Sequence, residues 1–363
     1  MIGVNLAEME KIVRVGVDLA KNVIQVHAVA ADGRVILSRP LARAKFVPWC
    51  NQLSKGTVVA MEACSGAHHW ARELTAMGLV AKLISAAFVA PYRMQGRGGK
   101  NDANDAAAVC EAASRPTMRF VPVKTVEQQS LMTLHRLREG VKKDRTACIN
   151  RIRGLLAEFG LVFPKSPQAL REGLLKVLVG DTGQLSSTAT LGLRNAALHL
   201  SQLDDHLKSC DRSIGSHCKD DPKARAAAAL QGVGPIGASA LIASVGDVSV
   251  FRSGAQFGAW LGLTPRQNSS GGIVSLGRIT KRGDEYLRTL LIQGAKAAVM
   301  TAHKRRDAIS RWAVQLRERV GWQKAAVAMA NKNARILWAI LSKGKCFDPN
   351  HANALPHLQR SLF

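Results

Sequence analysis

Apolar and polar residues alternate with a period of two through residues 12–39, a stretch rich in Val and Ile. Alternation of this kind predicts half-buried strands. Two are expected at residues 12–17 and 23–30, with Asp32-Gly33 as a hairpin turn and a third strand at 34–38. A helical pattern over 42–53 follows, then a short β-branched strand at 57–61, a helix at 67–77 and a strand at 79–84. Three antiparallel strands followed by β-α-β units describe an α/β layered sheet.

The pattern changes in the middle. Thr125-x-x-Gln128 reads as a capping box and Gly160 as a helix C-cap. A helix between them would run roughly 50 Å at ~1.5 Å per residue. A second segment spaces Leu193, Ala196, Leu200, Leu203, Leu207, Cys210 and Ile214 as an a/d seam. The two segments predict an antiparallel coiled coil or short bundle, with residues 161–187 as the connection. Ordinary core helices of a globular domain fit the same pattern. From residue 223 short helices alternate with Gly-rich turns to about residue 343, and the tail has no clear period. The division expected is 1–122 as an α/β domain, 123–222 as a coiled-coil or helical linker, 223–347 as a mainly α domain, and 348–363 as a tail.

Charge narrows the function. Lys and Arg number 51 against 26 Asp and Glu, a net charge of +25. Such a surplus repels itself unless an anionic partner binds, and nucleic acid is the usual one. Between residues 252 and 345 there are 18 basic residues and 4 acidic ones, so this block is the expected footprint. The odd number of cysteines, with no CxxC pair, reads as reduced thiols rather than disulfides or zinc ligands. Nothing resembles a signal peptide. The apolar stretch 322–341 carries Lys324, Lys332 and Arg335, which argues against a membrane span.

Four carboxylates stand out by position. Asp18 ends the first strand in Val-Gly-Val-Asp-Leu-Ala-Lys, and Glu62 ends the strand at 57–61. Asp102 and Asp105 open a helix in Lys-Asn-Asp-Ala-Asn-Asp-Ala, three residues apart and so on one face. Strand ends and helix starts are where α/β sheets gather functional groups. Four carboxylates brought together repel, and a divalent cation removes the conflict; oxygen ligands suit Mg2+ or Mn2+. Two such ions ~3.5–4 Å apart steady the attacking and leaving oxygens of a phosphodiester. Taken singly, each carboxylate has a plain structural role: Asp102 as an N-cap, Glu62 as a solvated strand end.

Other segments suit phosphate. Gly96-Arg97-Gly98-Gly99-Lys100 lacks P-loop spacing and reads as a basic loop offering Arg97 and Lys100 to a phosphate, or as a merely solvated loop. The second Gly-rich phosphate loop of actin-like sugar kinases is missing. Leu230-Gln231-Gly232-Val233-Gly234-Pro235 joins two short helices and resembles the helix-hairpin-helix motif, in which Gly232 and Gly234 would bring backbone N–H groups to a phosphate. A ligand-free tight turn is the alternative. Asp247 follows it, where some DNA glycosylases carry a catalytic Asp, with nothing else favouring base excision. Further on, Gln267-Asn268-Ser269-Ser270-Gly271-Gly272 precedes Gly277-Arg278-Ile279-Thr280-Lys281-Arg282-Gly283-Asp284. Arg266, Arg278, Lys281 and Arg282 could neutralise a phosphate beside the serines. By composition alone the serine segment is a flexible loop.

The Asp18, Glu62, Asp102/Asp105 order resembles the metal site of Holliday-junction resolvases in the RNase H-like superfamily. The wording around these residues and around Ser269-Ser270-Gly271-Gly272 is closer to the DEDD insertion-sequence transposases, the bridge-RNA-guided recombinases. The likeness spans roughly residues 12–343, its motifs in order. It implies an RNase H-like (RuvC-like) N-terminal domain and a C-terminal transposase domain whose serine before glycine is the nucleophile. That residue is Ser270, with Ser269 as the fallback. It implies Mg2+ or Mn2+ on Asp18, Glu62, Asp102 and Asp105, and a phosphoserine intermediate with double-stranded DNA. A structured noncoding RNA would choose the DNA. A homo-oligomer, dimer or tetramer, would share active sites, in the bacterial cytoplasm at the nucleoid. A metal-only, structure-selective endonuclease and a non-catalytic nucleic-acid scaffold are the competing readings.

Overall fold

The structure, a computed structural model, describes residues 6–93, 101–180, 185–344 and 347–348. The chain divides into two compact units, residues 1–126 and 127–363.

The first unit is built on a mixed sheet. After a short helix α1 (Leu6–Met9) come β1 (Arg14–Leu19), β2 (Val23–Val29) and β3 (Val35–Ala42). Then follow α2 (Arg43–Cys50), β4 (Val58–Glu62), α3 (Ala67–Ala76), β5 (Val80–Ile84), α4 (Ala86–Val89), α5 (Asp102–Ala113) and β6 (Phe120–Val121). The strand order is β3-β2-β1-β4-β5-β6. β1, β2 and β3 pair antiparallel, while β1, β4 and β5 run parallel. The Asp32-Gly33 turn forms as expected: Gly33 takes a positive φ of 87° and the Asp32 carboxylate accepts the Arg34 N–H at 2.9 Å.

Period-two alternation divides the two faces of this sheet. Val15 and Val17 of β1, with Val59 and Met61 of β4, face a core closed by Phe46, Trp49, Trp70 and Leu74. The intervening residues face α5: Ala60 packs with Ala108, Val109 and Ala112. Gly16 lies directly beneath α5, and a Cβ there would stand 2.1 Å from the Ala106 carbonyl oxygen and 2.5 Å from the Cys110 nitrogen. Asp18 and Glu62 share the parity of Gly16 and Ala60, so each strand delivers its carboxylate to the α5 face.

The second unit is helical. α6 (Val126–Ala157), α7 (Pro167–Val179) and α8 (Ser187–Asp220) are followed by α9 (Pro222–Ala228), α10 (Pro235–Val245) and α11 (Gly254–Trp260). A two-stranded ribbon, β7 (Pro265–Gln267) and β8 (Leu276–Ile279), precedes α12 (Glu285–Thr301), α13 (Ala308–Val320) and α14 (Trp322–Lys343). α6 ends as expected: Gly160 has φ 73°, and the Leu161 N–H returns to the Leu156 carbonyl at 3.0 Å. α6 and α8 pair antiparallel. Arg138 Nε meets Asp211 at 2.5 Å and Arg145 Nε meets Asp204 at 2.6 Å, so rising number on one helix meets falling number on the other.

The expected connection contains a helix of its own. α7 inserts Leu170 and Leu174 between Ile149, Ile152 and Leu156 of α6 and Leu193, Leu200 and Leu203 of α8. The Leu193–Leu203 half of the a/d seam is therefore covered within the chain. α9–α14 share one core, with Leu230, Val233, Leu241, Phe257, Leu291 and Leu337 among its members. Among the described residues no helix is long and apolar enough to cross a membrane. The described cysteines are all free, and Cys346 lies outside the described residues.

A buried polar chain ties α6 to α10 and α12. His135, fully buried, lies 3.0 Å through Nδ1 from the Tyr286 hydroxyl and 3.1 Å through Nε2 from Ser239 Oγ. Tyr286 donating and Ser239 accepting satisfies a neutral imidazole. Burial first, then Arg138 and His217, lowers the His135 pKa to about 4. The unfolded chain would take up this proton near its ordinary pKa of ~6.5. Stability from this group is thus present at neutral pH and is lost as pH falls from ~6.5 towards 4. Between pH 7 and pH 5 the loss should be roughly 2 kcal/mol. Urea unfolding of wild type and His135→Gln at both values checks this: the variant should lack that part of the pH dependence.

Candidate functional site

The carboxylates come together above the sheet. Asp18 lies near the end of β1 and Glu62 closes β4. Asp102 and Asp105 lie in the first turn of α5, whose N-cap is Asn101, its side chain accepting the Asn104 N–H at 2.8 Å. Asp102 is therefore not the capping residue, and its exposed carboxylate is not engaged in closing the helix. Asp105 is buried, at 8% exposure. The charge of the group registers on Asp18. Burial raises its pKa most, then Asp102, Asp105 and Glu62 in turn, and Arg93 opposes them.

Arg93 is not among the residues expected from sequence. Its Nη2 donates to Glu62 Oε1 at 2.8 Å, and its Nε lies 2.8 Å from Asp105 Oδ1. The second contact is ionic rather than directed, since Nε has no aligned hydrogen-bond acceptor. One guanidinium thus bridges two of the four carboxylates and offsets one of their charges. Among the described residues no three His, Cys, Asp or Glu side chains converge as tightly as a bound ion requires. Arg97 and Lys100 lie outside the described residues.

The serine segment occupies the tip of the ribbon. β7 and β8 pair antiparallel, with Pro265 opposite Ile279 and Gln267 opposite Leu276. The Ile273 N–H donates to the Ser270 carbonyl at 3.0 Å, and Gly271 and Gly272 take φ of 56° and 79°. Ser270-Gly271-Gly272-Ile273 is thus a tight turn with both central residues left-handed, a geometry that calls for glycine. The two serines differ. Ser269 Oγ accepts from Gln267 Nε2 at 3.0 Å and from the Ser275 N–H at 3.3 Å, closing the ribbon. Ser270 is exposed, and its hydroxyl makes no such contact among the described residues.

Arg266 and Arg278 stand exposed on the two strands. Lys281 holds a positive φ of 54°, unusual outside glycine. The turn that carries it is fixed by close backbone packing: a Cβ on Gly262 would lie 2.1 Å from the Arg282 carbonyl oxygen, and one on Gly283 would lie 1.9 Å from that of Trp260. The basic turn after the ribbon is thus held against α11.

The Gly-rich hairpin between α9 and α10 is also pinned. Gly232, at φ 83°, lies back to back with Gly294 of α12, where a Cβ would stand 1.8 Å from the Gly232 carbonyl oxygen. Asn333 Nδ2 donates to the Gln231 carbonyl at 2.9 Å. Gly232 therefore serves packing, while Gly234 is open on its Cβ side and caps α10 without a side chain. Asp247 accepts from the Ser249 N–H at 2.8 Å and from Ser249 Oγ at 2.6 Å, which is a capping role.

Two family models match this chain. The DEDD transposase model of the IS110 type covers residues 15–161, and the model of the IS116/IS110/IS902 transposase family covers residues 224–311. A probable family 20 transposase of Pseudomonas aeruginosa is 47% identical over 93% of this chain and 98% of its own length. The transposase for insertion sequence element IS1111A of Coxiella burnetii is 40% identical over 93% of this chain and 92% of its own. That for element IS1328 of Yersinia enterocolitica is 33% identical over 93% and 99%. The chain belongs to the IS110/IS116 family of insertion-sequence transposases.

The matched intervals of this DNA transposase enclose both candidate sets. Asp18, Glu62, Asp102 and Asp105 fall in the first and the Ser270 ribbon in the second. Gly16 is what allows α5 to bring its two carboxylates over β1. Gly16→Val should therefore destabilise the transposase by about 3 kcal/mol or more, the upper range for overpacking, since backbone has to move. Calorimetry should show the first unit melting well below wild type, with strand cleavage lost at temperatures where the fold persists.

Proposed function

We propose that this transposase cuts and exchanges DNA strands with a serine nucleophile, Ser270, and a carboxylate cluster of Asp18, Glu62, Asp102 and Asp105 on an RNase H-like (RuvC-like) domain. The observation that carries the reading is the contrast at the ribbon tip: Ser269 closes the turn, while Ser270 presents a free hydroxyl. In the step proposed, a Ser270 Oγ–P bond forms as a backbone P–O bond breaks. The serine proton passes through solvent to the departing sugar oxygen, and the strand is held as a phosphoserine. Rejoining reverses these changes on a new strand end. Arg266, Arg278, Lys281 and Arg282 are the cations of that loop, positioned to stabilise the extra charge on the phosphate.

The donor set at the carboxylates suits a hard divalent ion. It is all oxygen, and Asp18 is disfavoured as an anion by burial and by three like charges. Mg2+ or Mn2+ held by Asp18, Glu62, Asp102 and Asp105 would supply charge stabilisation to phosphate oxygens. Arg93 orients Glu62 and Asp105. Gly234 belongs to a helix-hairpin-helix that grips backbone phosphate, supported by the open N-terminus of α10, with Gly232 shaping its turn. The net charge of +25 supports double-stranded DNA together with a structured noncoding RNA that selects it. A homo-oligomer, dimer or tetramer, suits a reaction on two duplexes. The first test is metal removal. Cleavage of duplex carrying the element's ends should require Mg2+ or Mn2+ and stop in EDTA, with binding retained; full activity in EDTA would refute the metal assignment.

A further inference from the structure

The ribbon tip carries something the serine chemistry does not use. Directly across the turn from Ser270, Ile273 is 75% exposed and Val274 68% exposed, with Leu276 behind them at 53%. Three large aliphatic side chains on one ribbon gain little from folding, because each stays more than half exposed. Both strands of the ribbon are exposed up to Ile279 at the base of β8, so the tip stands clear of the helices. The turn has two left-handed glycines, which keep it narrow. Behind the tip the segment 264–282 carries Arg266, Arg278, Lys281 and Arg282 and no acidic residue.

An apolar tip on a cationic, narrow ribbon has the makings of a nucleic-acid wedge. Cations hold the phosphates on either side, and aliphatic side chains enter between bases, where they exchange water for stacked rings. A second copy of this chain is the poorer occupant. It would bring four cations against the same four, with no carboxylate on the segment to balance them. We infer that Ile273 and Val274 form a wedge that enters duplex DNA between neighbouring base pairs and unstacks them beside the phosphate facing Ser270. Because the Ile273 N–H and the Ser270 carbonyl are joined at 3.0 Å, the opened step and the reacting phosphate are at most a nucleotide or so apart. Opening the stack there frees a strand end to leave its partner and pair elsewhere, as strand exchange demands. The placement next to the reacting phosphate rests on the Ser270 reading; the wedge itself does not.

The test uses the full chain carrying Ser270→Ala, so that no cleavage intervenes. The probe is a duplex of the element's terminal sequence with 2-aminopurine placed singly through the end, with and without the element's noncoding RNA. Saturating protein should raise fluorescence several-fold at one or two adjacent positions in at least one arm. Adding Ile273→Ser with Val274→Ser should abolish the rise while affinity falls by no more than about tenfold, the phosphate contacts being intact. Ile273→Leu with Val274→Leu should preserve it. Both side chains are exposed, so circular dichroism and melting should be unchanged in either pair. No rise in either arm, or a rise untouched by the serine pair, overturns the wedge. A serine pair that instead changes the sedimentation of the free protein, with fluorescence unaltered, assigns the tip to self-association and also overturns it. If Ser270 is not the nucleophile, the protein with Ser270 intact forms no adduct on that residue while the fluorescence response of the Ser270→Ala protein stands.

Discussion

Asp18→Asn and Asp102→Asn should each lower strand cleavage by at least about a thousandfold while leaving DNA affinity within a few-fold of wild type. Asn keeps the shape and removes the charge that a divalent ion needs. What separates this from a folding defect is the sign of the stability change. Asp18 is held above its ordinary pKa by burial and by Asp102, Asp105 and Glu62, so its ionised form is a source of strain in the fold. Asp18→Asn removes that repulsion and should melt at or above the wild-type temperature at neutral pH. A dead enzyme with an unchanged or higher Tm marks a functional carboxylate. A dead enzyme with a lower Tm, or an active one, contradicts the assignment.

The second large effect is expected at the ribbon. Ser270→Ala should eliminate strand exchange and any covalent protein–DNA species, with no effect on melting, because its hydroxyl supports no contact among the described residues. Ser269→Ala should do something different. It removes the acceptor for Gln267 Nε2 and the Ser275 N–H, loosening the turn, so activity should fall only tens of fold and the adduct should persist. If the two variants exchange these behaviours, Ser269 is the nucleophile. If neither variant affects cleavage, this protein is a metal-dependent endonuclease with a decorative serine loop.

Most of the sheet is legible in the sequence because period two governs β1–β3 and a β-branched run marks β4, whereas the two-residue β6 is too short to leave a pattern. Residues 12–39 yield three strands and a turn, and the ends shift by a few residues where backbone pairing continues past the apolar run, as at Asp18 and Leu19. The same parity that hides Val15 and Val17 puts Asp18 and Glu62 on the α5 face. The helix over residues 167–179 escapes the pattern although Ser166-Pro167 is a serviceable N-cap and first-position proline. Its buried positions, Leu170 and Leu174, are surrounded by further apolar residues, Leu175, Val177, Leu178 and Val179, and by Gly173, so no clean apolar face stands out. That glycine makes sense only in three dimensions, where the Phe163 ring lies on it.

Arg93 is illegible for a different reason. It follows a single turn of 3-10 helix at residues 90–92, in a segment with no period, and its meaning comes from Glu62 and Asp105 across the fold. Gly232 looks like a phosphate-facing glycine in the sequence, and its contact with Gly294 cannot be foreseen from a separation of 62 positions. By composition alone the two serines are alike, and the preference for Ser270 comes from the family resemblance. Only the pairing of the ribbon strands shows which hydroxyl is engaged and which is free.

The most direct measurement is the identity of the residue joined to DNA. The transposase is incubated with a duplex bearing the element's end in Mg2+, quenched in denaturant, digested with protease and nuclease, and the nucleotide-bearing peptide sequenced by mass spectrometry. A phosphodiester-linked nucleotide on Ser270, absent from Ser270→Ala and from Asp18→Asn, is the result expected here. A nucleotide on any other residue, or efficient cleavage with no linked peptide at all, would contradict it.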